Sequence, residues 1–365
     1  MITLLIHAFG KKTAVLIGCV AVLLLLVVLA VPTTVLVTSD PSVPENTTEP
    51  EQTAEPEKKF IKWVDFNIPY EAMETALNTD IKSHGETTEY HWVEILAYLG
   101  TKYGGDWKMY KQEDIIKLTK ALSEGKTMEE LTANMKHYSY FLEAYGAVLN
   151  GFVGEYEIET PDKDNPEQTH RVKKYGLKVF SPIARGYGFS HYDDFGSSRS
   201  YGYKRKHLGH DLMGSVGTPV IAIESGVAEC VGWNQYGGWR IGIRSFDSKR
   251  YYYYAHLRKN HPYNDMYEGK IIKAGDVIGY LGMTGYSSKE NVNNINTPHL
   301  HYGIQLIFDE SQKEGNNEIW IDCYAITQLL QKNKSAVYKD ADKKEYYRKY
   351  DFTEPSVEKV IQENN

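Results

Sequence analysis

The sequence is poor in cysteine, has no excess of positive charge and, between residues 38 and 58, holds almost nothing apolar. Three cysteines occur in 365 residues. Cys19 lies inside an apolar run, which leaves Cys230 and Cys323. Two cysteines make neither a zinc knuckle nor a disulfide framework. They read as buried thiols that pack as small apolar residues. The formal net charge is −7. Nucleic-acid binding by counterion release needs a basic footprint, and the cluster Lys204-Arg205-Lys206 is too short to supply one. No nucleic-acid partner is expected. Thr38 to Lys58 carries four prolines and six acids. Such a segment cannot bury enough surface to offset its ordering entropy and reads as an extended, semi-rigid linker.

Ahead of that linker runs the longest apolar stretch. Ala14 to Val37 is 24 residues without a charge, long enough as a helix to cross a hydrocarbon core of about 30 Å. Lys11 and Lys12 precede it, and Asp40, Glu45 and Glu49 follow. This charge asymmetry puts residues 1–13 in the cytoplasm and everything beyond the span outside it. The run exceeds a typical signal-peptide core and lacks a clear small-x-small cleavage site. The expected location is therefore the cell membrane, with a single retained pass.

Residues 59–156 read as helical. Glu71, Ala72, Met73, Ala76 and Leu77 form one amphipathic pattern. Trp92 to Leu99 starts a second, stopped by Gly100 and Gly104-Gly105. Ile115, Ile116, Leu118 and Leu122 share a face that Gly125 ends. Thr127 with Glu130 is a capping-box pattern ahead of Leu131, Met135, Tyr138 and Leu142. The stripes predict a small packing or partner-binding bundle with no catalytic module. After Gly151 glycines become frequent and β-branched runs alternate with turns, as in Pro219–Ile223, Trp239–Ile243 and Lys270–Ile272. This pattern predicts antiparallel strands, with a polar connection at PDKDNPEQTHR, residues 161–171. Residues 332–365 read as a charged tail, helical or loose. The fold class is α+β. Tyrosine is abundant at 29 and suits clefts that bind polar polymers.

Twelve histidines are present, and four stand out with one aspartate: His207 and Asp211 in KHLGHD, His256 in YYAHL, and His299 and His301 in PHLHY. A catalytic zinc takes three nitrogen or oxygen ligands and leaves a fourth position open. Hydrolysis then needs a base and a donor for the oxyanion. His299 and His301 lie two apart in a strand-like run, so both face one side. His207 and Asp211 are too far apart on an extended strand to share an ion. They require either a fold-back near Gly209 or a helical i, i+4 arrangement. The other histidines (His7, His84, His91, His137, His170, His191, His210 and His261) read as structural or surface residues.

Taken in order, H-x-x-x-D, Y-A-H-L and H-x-H resemble the LytM-type (M23 family) zinc metallopeptidases. So do the flanking stretches His207–Trp233 and Gly269–Ser288. The resemblance covers about residues 175 to 310. It implies a β-rich antiparallel peptidase domain over residues 172–331, with a groove floored by a sheet and with Gly237-Gly238 and Tyr251–Tyr254 near or under it. It implies one zinc ion held by His207, Asp211 and His301, with His256 and His299 activating water and stabilising the transition state. The implied substrate is a peptide bond in the stems or cross-bridges of peptidoglycan, cut for cell-wall remodelling. The alternative is a non-enzymatic extracytoplasmic scaffold of a sporulation, secretion or conjugation complex, with residues 59–156 binding a protein partner. One departure stands out. The polar, asparagine-rich insert Lys289 to Thr297 separates the Thr-Gly-x-Ser segment from the H-x-H strand and is expected to reshape one groove wall.

Overall fold

The computed structural model describes residues 59–363 apart from Gly202, Glu314 and Asn316. The apolar span at 14–37 and its linker lie outside the described residues. Among those described, no helix is long and apolar enough to cross a membrane. Residues 59–365 cluster as one compact unit.

Five helices come first: α1 (Tyr70–Ser83), α2 (Trp92–Lys102), α3 (Gln112–Ser123), α4 (Met128–Thr132) and α5 (Tyr138–Leu149). The Thr127–Glu130 capping box forms at the start of α4. Two details differ from the periodicity. Gly100 does not stop α2 but lies within it. A Cβ there would stand 2.8 Å from the Tyr145 ring, so the glycine lets α5 approach closely. On α3, Ile115 and Leu118 are buried, whereas Ile116 is 59% exposed. Ile116 points about 100° around the helix from Ile115 and falls outside the narrow buried stripe of this helix.

The polar stretch read as a connection is the turn of a hairpin. Strand β1 (Val153–Pro161) pairs with β2 (Thr169–Leu177) over its full length. A short hairpin follows, β3 (Ser198–Tyr201) with β4 (Tyr203–Lys206). The main strands are β5 (His210–Met213), β6 (Pro219–Ile221), β7 (Gly226–Asn234), β8 (Gly238–Ser245), β9 (Arg250–Ala255), β10 (Ile271–Ile272), β11 (Val277–Tyr280), β12 (His299–Leu306) and β13 (Ile319–Trp320). An antiparallel sheet runs β10-β7-β8-β9-β12-β13, with β5 also pairing with β12; β6 and β11 form a separate ribbon. Then come α6 (Tyr324–Leu330), the hairpin of β14 (Val337–Lys339) and β15 (Tyr346–Arg348), β16 (Phe352–Thr353) and α7 (Pro355–Glu363). The C-terminal segment is thus ordered into three short strands and a closing helix: β16 adds to the edge of β1, and Phe352 is fully buried beside Phe180 and Ile221. Cys230 and Cys323 are both free. Cys323 is buried as expected, and Cys230 only partly.

Alternation along β9 divides the tyrosine run. Tyr252 and Tyr254 point into the core, while Tyr251 and Tyr253 line a groove on the opposite face. One apolar core joins the helical segment to the sheet: Met73, Leu96 and Val148 belong to the same cluster as Ile241, Tyr254 and Leu300.

Candidate active site and metal centre

Strand β12 is the backbone of the site. Its antiparallel register sets His301 opposite Asp211 of β5 on one side and opposite Ala255 of β9 on the other. Asp211 and His301 are therefore cross-strand neighbours, and His256 follows at the end of β9. His207 precedes β5, and a bend at Leu208-Gly209 returns the chain so that both ligand candidates point to one place. The fold-back occurs and the helical alternative does not. Gly209 is required for a second reason: a Cβ there would lie 2.5 Å from the His301 ring and 2.8 Å from the Tyr302 carbonyl oxygen.

Three atoms converge. His207 Nε2 is 3.1 Å from Asp211 Oδ1 and 3.1 Å from His301 Nδ1, and His301 Nδ1 is 2.9 Å from Asp211 Oδ1. Hydrogen atoms cannot satisfy all three contacts, because protons directed at the carboxylate leave two N–H groups facing each other. A cation at the centre satisfies them together. Tetrahedral zinc with nitrogen and oxygen ligands at about 2.0–2.1 Å separates neighbouring ligand atoms by about 3.4 Å, close to this spacing. Among the described residues this is the one group of at least three histidine, cysteine or acidic side chains placed to hold a metal ion. Burial alone would raise the Asp211 carboxyl, but hydrogen bonds from His207 and His301 outweigh it and hold the group far below the usual carboxylate range. Behind the cluster, Asp194 Oδ1 lies 3.2 Å from His207 Nδ1, and Arg199 reaches Asp211 Oδ2 at 3.3 Å. Such outer carboxylates orient metal-ligating imidazoles.

His256 and His299 flank the cluster with ring centroids 4.8 Å apart. Each has Nδ1 against a backbone carbonyl, His256 at 2.9 Å from Thr284 O and His299 at 2.8 Å from Thr297 O. A carbonyl only accepts, so Nδ1 carries a proton in each ring, and in a neutral ring Nε2 is then the unprotonated nitrogen. His299 Nε2 is 3.8 Å from Asp211 Oδ1. Burial, followed by the nearby His299 and His301, pushes the His256 pKa well below the ordinary imidazole value. His256 also adopts φ 62°, a left-handed conformation costly for a residue with a side chain. Its backbone N–H donates to Gly237 O at 2.7 Å, and the Thr284 hydroxyl ties that corner together through Leu257 O and Trp239 N–H.

The structure thus brings together all five polar residues singled out in the sequence. Asp194, Arg199 and Thr284 were not singled out. Asp193-Asp194 is an acidic pair a dozen residues ahead of His207, but nothing in its spacing points to the site. Of the remaining histidines, His210 is fully buried with Nε2 2.8 Å from His191 Nδ1, a packing role. The groove around the cluster holds about 470 Å³. Tyr251, Tyr253 and Trp320 line it on one side of the cluster, and Arg205, Tyr236 and Tyr286 on another.

An antiparallel sheet carrying a His-Asp-His cluster with two further imidazoles beside it is a metallohydrolase type of centre. Residues 205–315 match the family described as Peptidase family M23, so this part of the chain is an M23-type domain. An L-Ala–D-Glu endopeptidase of Bacillus subtilis (strain 168) is 40% identical over 116 residues, 32% of this chain and 34% of that protein. Lysostaphin of Staphylococcus staphylolyticus is 41% identical over 97 residues, 26% of this chain and 18% of that protein. The chain thus spans about a third or less of the length of these relatives. The solved catalytic domain of lysostaphin from Staphylococcus simulans is 34% identical, covering 34% of this chain and 85% of that one, with a TM-score of 0.28.

Proposed function

We propose that this protein is a zinc-dependent endopeptidase that hydrolyses peptide bonds of peptidoglycan and is held outside a membrane by residues 14–37. The observation that carries the catalytic part is the convergence of His207, Asp211 and His301 to mutual distances of 2.9–3.1 Å with the imidazoles of His256 and His299 beside them. The membrane part is supported by the length and flanking charges of the apolar run. The substrate is supported by the similarity to relatives that include L-Ala–D-Glu and glycyl-glycine endopeptidases.

His207, Asp211 and His301 would hold the zinc ion. When bound, zinc supplies Lewis-acid polarisation of water and of the scissile carbonyl. His256 and His299 present unprotonated Nε2 atoms beside the cluster. Either can take the proton of the attacking water, and the protonated ring can then return it to the leaving amine. Their Nδ1–H bonds to Thr284 O and Thr297 O fix the ring planes and the tautomer. In protonated form each ring is also a donor for the developing oxyanion. Tyr251 and Tyr253 offer aromatic walls along the groove for an extended peptide.

The full-length protein, purified in detergent and loaded with zinc, should contain one zinc per chain and release new amino groups from cross-linked muropeptides. Intact muropeptides under conditions in which lysostaphin or another M23 enzyme digests its own substrate would refute this reading.

A further inference from the structure

The Lys289–Thr297 insert, where the sequence departs from the resemblance, does not hang free. Asn291 Oδ1 accepts from Trp239 Nε1 at 3.0 Å and from the Asn260 N–H at 2.7 Å. Asn294 Nδ2 donates to the carbonyl oxygen of Tyr286 at 2.6 Å, and Gly285 N–H donates to Val292 O at 3.3 Å. The insert therefore braces Tyr286 from behind, and Tyr286 itself sits at φ 48°. A conformation of that kind persists only where the surroundings impose it. The braced ring faces the groove 5.7 Å from the His256 ring.

What Tyr286 holds is Arg205. The guanidinium donates to the Tyr286 hydroxyl and lies 4.7 Å from the Tyr286 ring centroid and 5.8 Å from that of Tyr236. Of the three other groove cations, Arg199 is neutralised by Asp194 and Asp211 and Lys313 by Glu229, while Lys206 is an exposed ammonium with no aromatic ring among the described residues holding it. Among the described residues no carboxylate lies within 4.0 Å of the Arg205 guanidinium. Stacking between aromatic faces removes side-chain freedom and part of the hydration of an arginine, yet leaves in-plane N–H donors in a fork that matches a carboxylate. Through Tyr286, the fork stands no more than roughly 10 Å from His256, about three residues of extended peptide at ~3.3 Å each.

We propose that Arg205, set by Tyr286 and the Lys289–Thr297 insert, is a carboxylate-binding subsite of the substrate groove. It selects acidic peptides, with a free carboxylate within three residues of the cut bond, over uncharged glycine bridges. This inference rests on the peptidase reading above. Arg205 is a specificity residue and takes no part in bond cleavage. The insert acts through Tyr286 as a positioning element.

The test uses two synthetic stem peptides that differ only in carrying a glutamate α-carboxylate or its amide, offered to the full-length zinc protein. Two readouts are taken. The first is the acid-to-amide ratio of kcat/KM. The second is the acid-to-amide ratio of affinity in the His256→Ala background, followed by tryptophan fluorescence, since Trp320 lines the groove. A charge-assisted bidentate pair should favour the acid by about tenfold to a hundredfold in both ratios. Arg205→Gln should bring both toward one, and Arg205→Lys, which keeps charge but loses the fork, should fall between. Matching thermal melts establish that the variants fold, and Arg205→Lys decides the matter if Arg205→Gln does not fold. An acid preference that is absent in the wild type, or unchanged in the folded variants, overturns the subsite. If neither peptide is cut but the binding ratio persists and depends on Arg205, the subsite stands and the peptidase reading falls.

Discussion

At the scale of single residues, the proposed function divides the site into groups that would hold the metal and groups that would react. His207→Ala, Asp211→Ala and His301→Ala each remove one of three donors and should lower zinc affinity, read as metal content after dialysis against a weak chelator. His256→Ala should retain zinc and lose about 10²–10⁴ in kcat, the usual contribution of a positioned acid–base group. Zinc lost from His256→Ala would mean that the ligand assignment is wrong. Gly209→Ala tests the turn. Its new Cβ would stand 2.5 Å from the His301 ring and 2.8 Å from a backbone oxygen, and the backbone cannot yield cheaply. The expected outcome is weaker zinc binding, although no ligand has been changed; metal affinity equal to wild type would show that the bend has slack.

At the scale of elements, register does most of the placing. One pairing, β12 against β5, makes Asp211 and His301 neighbours, and a slip of one residue would turn every side chain of the strand to the opposite face. The helical segment has its own junction. Asp114, at the start of α3, is buried and accepts from Tyr103 Oη at 2.8 Å, while Lys102 at the end of α2 reaches it at 2.6 Å. The Lys102 hydrogen bond, against the opposing cost of burial, holds the Asp114 carboxyl below its usual 3.8. The unfolded chain therefore binds this proton more readily than the folded one. The stabilisation is fully present above pH 3.8 and is lost as pH falls through the lower folded value. Asp114→Asn should thus lower the urea midpoint at pH 7, and the gap from wild type should narrow as the pH drops below 3.8. A gap that stays constant with pH would mean that the charge contributes nothing.

At the scale of the whole molecule, the helical segment and the peptidase domain share their interior. Arg250 is fully buried; it pairs with Glu224 through two hydrogen bonds at 2.8 and 3.0 Å and donates to the carbonyl oxygen of Ala147 at the end of α5 at 2.7 Å. Glu224→Gln removes one carboxylate of a buried cluster in which Asp247, 2.7 Å from Arg250 Nη2, still offsets part of the charge, so it should cost about 1–3 kcal/mol in urea unfolding. Deleting residues 59–156 should do more. It would strip Arg250 of its Ala147 partner and bare the sheet face that now packs on Leu96 and Val148. The fragment is expected to be aggregated or molten by near-UV circular dichroism. A cooperative unfolding transition in the fragment would show that the shared core is dispensable.

Much of this was legible before any coordinates. The five polar residues of the site sit in short motifs, and short motifs survive in a linear reading because i, i+2 on a strand and i, i+4 around a bend are local geometry. The capping box of α4 was legible for the same reason. Periodicity failed where side chains meet across elements. Gly100 looked like a helix stop because its need for Tyr145 of another helix is invisible locally, and PDKDNPEQTHR looked like a linker because a polar turn and a polar connection have the same composition. Phe352 and β16 were hidden in a charged tail whose few apolar residues complete a sheet some 200 positions upstream. The sequence by itself determined the chemistry on offer: three ligands, two imidazoles, a β-rich framework and an odd insert. Only the tertiary structure decided that the Thr284 carbonyl meets His256, that Asp194 backs His207, and that Tyr286, braced by the insert, meets Arg205. Thr284 and His256 lie 28 positions apart and Arg205 and Tyr286 lie 81 apart, and they meet only through strand register and packing.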